Sequence, residues 1–386
     1  MRATKAIVAV GAAIGSILLA AGCSSGSSSS SSAATGGNSG SSGANWSTAT
    51  SASAGGGFSA LVAAAKKEGQ LNVITLPSDW ANYGTIMKDF QAKYGIKITD
   101  ENPEGSSQDE INAINTLKGR SSAPDVVDVG GSFAVSGDKS GLWAPYMVQT
   151  WSDIPAAAKQ AAGDYYADYG GYVAIGYDSS KVKVAPATFK SLLTGPYKNQ
   201  VAIDGNPTQT GSAFAAVYAA ALANGGSLDN IAPGVAYFKH LHQAGNFVPV
   251  EGTPATVQSG QTPILIWWDY LLASEVQPKD KNFKIVIPSD GTYAGYYYQA
   301  ISKTAPDPAA ARLWEEYLYS TTGQNLWLQG EARPIELDTL VKDNTVDQAA
   351  YKALPPAPAG NVTFPTQAQQ AAAENIVAQQ WSSVIG

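Results

Sequence analysis

The sequence holds one cysteine and two histidines. One cysteine excludes an intrachain disulfide framework and a cysteine-rich metal site, and two histidines leave a zinc site dependent on carboxylates. Charge is scarce: 14% of residues are Asp, Glu, Lys or Arg, well below the usual quarter. Polarity is carried instead by Ser, Thr, Asn, Gln and Gly. Basic residues are the scarcer kind, 24 against 31 acidic for a net charge of −7. That balance excludes a nucleic-acid partner, because phosphate contacts need clustered Lys and Arg. Beyond the N-terminus no apolar run approaches the roughly 18 residues of a membrane span. There is no internal repeat, nucleophile elbow, P-loop or zinc-protease helix. His240 and His242 stand two apart on an expected helix, so they face different sides. What is present is a 386-residue chain, 44% hydrophobic, enough for one large or two ordinary cores.

Residues 1–22 read as an export signal: Arg2 and Lys5 precede the apolar run Ala6–Ala21, too short for a typical span and ending in small residues. The ending Leu18-Leu19-Ala20-Ala21-Gly22-Cys23 resembles a bacterial lipobox, with Ala20 where Leu is usual. The only cysteine stands where a lipoprotein is cut and acylated, so Cys23 is the expected lipidation site, which attaches the chain to a membrane surface without spanning it. Residues 23–57 are almost all Ser, Gly, Ala, Thr and Asn. Such a stretch buries too little apolar area to offset its ordering entropy and reads as a flexible tether, with a reach of about 30 Å.

In the remaining body, helices and strands alternate. Helical spacing over Phe58–Glu68 ends at Gly69, Leu71–Leu76 reads as a strand, Ala81–Tyr94 as an amphipathic helix and Ile96–Thr99 as a strand. A helix over Gln108–Lys118 precedes the apolar strand Asp125–Val129. Further strands are expected at Tyr172–Tyr177, Val201–Ile203, Pro263–Trp267, Lys284–Ile287 and Tyr293–Ile301, with a small-residue helix over Ala213–Ala223 and helices from Pro308 onward. The alternation predicts an α/β fold with a mainly parallel sheet, whose ligand sites lie at the C-terminal strand ends.

Several segments in this order resemble the extracellular solute-binding proteins of bacterial ABC importers, in the branch that holds ferric-iron, polyamine, thiamine and aminophosphonate binders. They are Phe90-Gln91-Ala92-Lys93-Tyr94-Gly95-Ile96-Lys97-Ile98, Ala123-Pro124-Asp125-Val126, Asn206-Pro207-Thr208 through Gly211-Ser212, and Pro308-Ala309-Ala310-Ala311 through Ser320-Thr321-Thr322-Gly323-Gln324. The resemblance spans about 60–386. It implies a two-lobed, type II periplasmic-binding-protein-like fold with the ligand between lobes that close by hinge motion. Lobe one is expected from 58–173 and from 296–386, including the C-terminal helices, and lobe two from 174–295. It further implies a monomer that is not an enzyme, uses no cofactor and hands a small solute to a membrane permease.

The sharpest local signal is Trp267-Trp268-Asp269-Tyr270, a carboxylate among aromatics at a strand end. It predicts an ammonium paired with Asp269 and covered by Trp268. Thr210, Gly211 and Ser212 precede a helix, where free N–H groups favour an anion. In lobe one, Ser78, Asp79, Trp80 and Tyr83 follow the first strand, Ser132 follows the third and Tyr169 precedes the first crossing; Tyr296 lies in the second. The solute is therefore expected to carry an amine, in a polyamine or an aminophosphonate-like compound. Ferric iron is the alternative, on Asp269 or Tyr270 and the run Tyr296-Tyr297-Tyr298. A surface glycan-processing enzyme with two scattered carboxylates is a further alternative, since such pairs need no motif.

Overall fold

The computed structural model describes residues 44–354 and 364–385. The signal, Cys23 and the tether as far as residue 43 lie outside the described residues.

Parallel strands β1 (Gln70–Ile74) and β2 (Lys97–Glu101) form a small sheet. It continues toward β3 (Val126–Gly130) through Asp125, whose N–H donates to the Asn72 carbonyl and whose carboxylate accepts the Asn72 N–H. The larger, nine-stranded sheet runs β3, β10 (Ala294–Ser302), β5 (Tyr166–Asp178), β8 (Ile264–Trp268), β6 (Val201–Ile203), β7 (Phe247–Glu251). The short strand β4 (Trp143–Ala144) pairs with β10, and β9 (Phe283–Val286) and β11 (Arg333–Pro334) pair with β5. β5 is longer than the sequence suggested and changes partners along its length. Residues up to Tyr172 pair with β10, and those from Val173 on pair with β8 and β9. It therefore belongs to both lobes.

The expectation of a mainly parallel sheet fails. Only β1–β2, β6–β7 and β6–β8 are parallel, and the other six pairings are antiparallel. The cause is the pair of crossing strands, β5 and β10, which run against their neighbours as the chain leaves one lobe and returns.

Helices α1 (Phe58–Glu68), α2 (Tyr83–Tyr94), α3 (Ser107–Thr116) and α4 (Gly131–Lys139) surround the first strands. The second lobe carries α5 (Phe189–Thr194), α6 (Gly211–Ala223), α7 (Ala232–Gln243), α8 (Pro254–Ser259) and the short turn α9 (Asp269–Leu271). α6 is apolar on every side and its residues from Gly211 to Ala221 are buried, as an all-round apolar helix requires. Its alanines allow α7 to approach so closely that a Cβ on Gly234 would meet the Val217 carbonyl at 2.1 Å. The lobes touch directly where β3 ends and α6 begins: a Cβ on Gly130 would lie 2.8 Å from the Gly211 Cα.

Two expected boundaries shift. Residues 44–57 are turns docked on the body, not tether. Trp46, Ala49 and Ala52 are buried, and the buried Arg312 of α10 (Pro308–Leu318) donates from Nε to the Ala49 carbonyl at 2.7 Å. The composition hid this because the apolar anchors, spaced three apart, are small apart from Trp46. The C-terminal helix over Gln367–Gln380 packs on α7 as well as on α4, and Trp381 meets Phe238 and Phe247. The chain end thus straddles both lobes and does not belong to lobe one alone.

Candidate functional site

A cavity of about 530 Å³ opens between the lobes. One wall is formed by Asp79, Glu104, Asp109, Glu110 and Asp128, the other by Asp204, Glu251 and Glu275; among the described residues Lys279 is the single basic one lining it. Both walls are built from strand ends and helix starts. β3 delivers Asp128, the buried face of α3 delivers Glu110, and the loop after β6 delivers Asp204.

Asp128 is held by two phenols. Its Oδ2 accepts Tyr83 Oη at 2.7 Å and Tyr169 Oη at 2.8 Å. Each phenol is itself oriented, Tyr169 Oη by Trp80 Nε1 at 2.7 Å and Tyr83 Oη by Gln299 Nε2 at 3.0 Å. Gln299 reaches on to Asp168 Oδ2 at 2.9 Å. The second oxygen, Asp128 Oδ1, is buried and has no partner among the described residues. The same holds for Glu110 Oε1 and Glu275 Oε1. Three cavity-lining carboxylates thus present buried acceptors that the chain itself leaves unsatisfied. Such groups are rare in native proteins and call for a ligand or water.

Burial pushes Glu110, Asp128, Asp204 and Glu275 up. Asp128 rises to about 7 although its two tyrosine donors pull the other way. Glu110 is raised well above the ordinary carboxylate range by burial and by the Asp128 charge. Burial takes Asp204 to about 7 and Glu275 to about 8.

Three aromatic rings complete the cleft. Trp80, which follows β1, meets Trp267 of β8 edge-on at 5.8 Å and Tyr297 of β10 at 5.6 Å. The backbone around this entrance is strained. Thr75, Ala81 and Asn82 have φ of 59°, 44° and 68°, a left-handed conformation that L-residues adopt at a cost and that clusters at functional sites.

Of the residues singled out from sequence, Asp79, Trp80, Thr210 and Gly211 line this cavity. Tyr83 and Tyr169 lie behind it as the donors to Asp128. Ser78 is exposed in the turn before α2, its carbonyl accepting the Gly84 N–H. Ser132 is buried in the first turn of α4. Ser212 donates to Asp204 Oδ2, so the expected anion position at the start of α6 already faces a carboxylate. Trp268 and Tyr296 point to the other side of their strands, into a small aromatic space with Tyr293 and Phe364; their neighbours Trp267 and Tyr297 face the cleft.

Asp269 corrects the sequence reading most sharply. It is fully buried and both oxygens are engaged, Oδ1 by the Tyr172 N–H at 2.8 Å and Oδ2 by Arg333 Nη1 at 2.8 Å. The protein supplies its cation. Tyr270 is likewise buried in the core. Sequence reasoning missed Glu110, Asp128, Asp204 and Glu275. A signal for the first was legible: Ser107, Glu110 and Ile114 share the buried face of α3, and an acid on that face needs a reason.

The sequence profile described as bacterial extracellular solute-binding protein matches residues 121–357. Comparison with curated protein sequences finds no match. Solved structures resemble the chain closely in fold. The ferric binding protein from Campylobacter jejuni has a TM-score of 0.62 at 19% identity, over 81% of this chain and 99% of the other. A periplasmic binding protein from Actinobacillus pleuropneumoniae with exogenous fructose-6-phosphate bound has a TM-score of 0.64 at 18% identity, over 82% and 98%. A periplasmic thiamin binding protein has a TM-score of 0.64 at 18% identity, over 82% and 96%. These likenesses show the two-lobed α/β fold of type II periplasmic binding proteins.

Proposed function

The chain belongs to the bacterial extracellular solute-binding proteins, binding proteins of ABC importers that work outside the cytoplasm and are not enzymes, and from that premise we propose that its solute is a small organic cation with amine nitrogens. The observation that carries this reading is the lining of the cleft: eight acidic side chains against one lysine, with buried carboxylate oxygens on both walls left without partners. An ammonium donates to such acceptors and offsets their charge. The faces of Trp80, Trp267 and Tyr297 cover the alkyl or ring portion and add cation–π attraction. The cavity volume suits a small organic molecule. Of the two amine classes expected from sequence, the polyamine-like one fits, because a phosphonate would face eight acids. Of the positions named for ferric iron, Asp269 is paired with Arg333, Tyr270 is packed in the core, and Tyr297 alone of the tyrosine run lines the cavity.

The test is a calorimetric titration of the purified protein with putrescine, spermidine and thiamine beside glucose, fructose-6-phosphate and ferric citrate. Saturable binding confined to the cations is the expected result. Binding of a sugar phosphate or of iron in preference to every cation would overturn it.

We further propose that the protein acts as a monomer anchored through lipid on Cys23, delivering its solute to a permease in the same membrane. Cys23→Ser should move it from the membrane fraction to the soluble one. Retention of the variant in the membrane fraction refutes the anchor.

A further inference from the structure

We infer that capture at this site is a proton exchange: an ammonium of the solute replaces one proton that the buried Glu110–Asp128 pair holds before the solute binds. The inference rests on the amine reading above and adds the state of the site before the solute arrives.

The geometry is a pair of buried acids. Glu110 is 1% and Asp128 5% exposed. Glu110 Oε2 accepts the Asp128 backbone N–H at 3.0 Å, which fixes the two side chains on adjoining elements. The remaining oxygens, Glu110 Oε1 and Asp128 Oδ1, have no partner. Two carboxylates so placed do not both ionise without a cation.

The surroundings supply none. From α2 and β5 come the phenols of Tyr83 and Tyr169, donors to Asp128. From β10 come Tyr297 and Gln299, and behind Gln299 lies Asp168, a further acid. Asp100 on β2 and Asp109 on α3 itself add negative charge to Glu110. Buried Glu315 of α10 and Tyr270 of α9 feel the Asp128 charge and bring no positive one. α4 brings Asp138 and Lys139 only near its C-terminal end, and Lys139 acts on Glu374. Lys279, the one basic group lining the cavity, acts on Glu275 in the opposite wall and stands 3.8 Å from Asp79.

The two tyrosines stabilise negative charge on Asp128, so the proton resides on Glu110. When R–NH3+ enters, Glu110 releases H+ to solvent and both carboxylates become acceptors for the ammonium. One positive charge arrives, one leaves, and no bond other than O–H is broken. The ordinary range of an alkyl ammonium, near that of Lys at about 10.4, keeps the solute charged throughout. Affinity therefore rises with pH, by up to about tenfold per unit where Glu110 alone of the pair still holds a proton. It levels off once the pair has ionised. The raised titration of both acids, with Asp128 at about 7, agrees with this direction.

The experiment is titration calorimetry of the intact protein with spermidine at about pH 8, above the Asp128 titration at about 7, in buffers of differing ionisation enthalpy, paired with infrared spectroscopy of the unliganded protein. The expected result is release of about one proton per spermidine bound, together with a protonated-carboxyl component near neutral pH that appears in the difference between the parent and Glu110→Gln. If Glu110→Gln does not fold, Glu110→Ala serves, since it too removes that carboxyl. Spermidine binding with no buffer dependence overturns the proton exchange and leaves the amine reading standing. Absence of binding by every cation overturns the amine reading, while the infrared difference still decides whether the pair holds a proton. Absence of that difference overturns the proton at the pair whatever binds.

Discussion

Asp128→Asn lowers the affinity for the amine solute by roughly a hundredfold to a thousandfold, the scale of losing one partner of a buried, hydrogen-bonded charge pair. The reason lies in the two oxygens of this carboxylate. One receives both tyrosines, and an asparagine carbonyl can still accept them, so the fold is preserved. The other oxygen becomes an NH2 group, a donor where the ammonium needs an acceptor. Calorimetry at one pH measures the effect, and the thermal midpoint separates it from unfolding. The stability change carries its own sign. Asp128 has a folded-state pKa raised to about 7, so its contribution is complete below its unfolded value and is lost as pH rises through about 7. Asparagine has no such loss. Relative to the parent, the variant therefore gains stability as pH rises from 5 to 8. An unchanged affinity would remove Asp128 from the site.

The strands and most helices were legible because they depend on local pattern: apolar periodicity, capping residues and the Gly or Pro that ends many elements. Which face of a strand meets the cleft was not. Alternation separates Trp267 from Trp268 and Tyr296 from Tyr297, but it does not say which of each pair faces the solute. On a half-exposed strand the polar residue answers that question. Here one face is cleft and the other is packing, and both are aromatic, so the phase comes only from pairing with β5. The acids divide the same way. Glu110 announces itself as a carboxylate on the apolar side of an amphipathic helix. Asp269 announces itself too, yet a carboxylate awaiting a ligand and one paired with an arginine look alike until the arginine is located. That arginine lies 64 residues away on another element.

The pairing of Asp269 with Arg333 makes a second large effect expected, on stability and not on recognition. Asp269 begins α9 in the second lobe, Arg333 sits on β11 beside the first half of β5, and the N–H that Asp269 also accepts belongs to Tyr172, where β5 changes partners. The guanidinium lies over the Tyr172 ring at 4.8 Å. A carboxylate with no exposure has no water to replace a lost partner, and breaking such a pair from one side costs about 3–5 kcal/mol. Arg333→Leu should therefore lower the thermal midpoint substantially. The loss should shrink on acidification, because burial already raises Asp269 above its ordinary range and, without the arginine, protonation removes the uncompensated charge. Asp269→Asn should also destabilise, by removing the charged acceptor of Arg333 Nη1. The combined variant Asp269→Asn/Arg333→Leu should recover part of the sum, the coupling expected of groups in direct contact. The affinity for the amine, measured where the variants remain folded, should stay within about threefold of the parent; a hundredfold loss, about 2.7 kcal/mol, would instead mean that the solute's ammonium takes the place of Arg333 on Asp269.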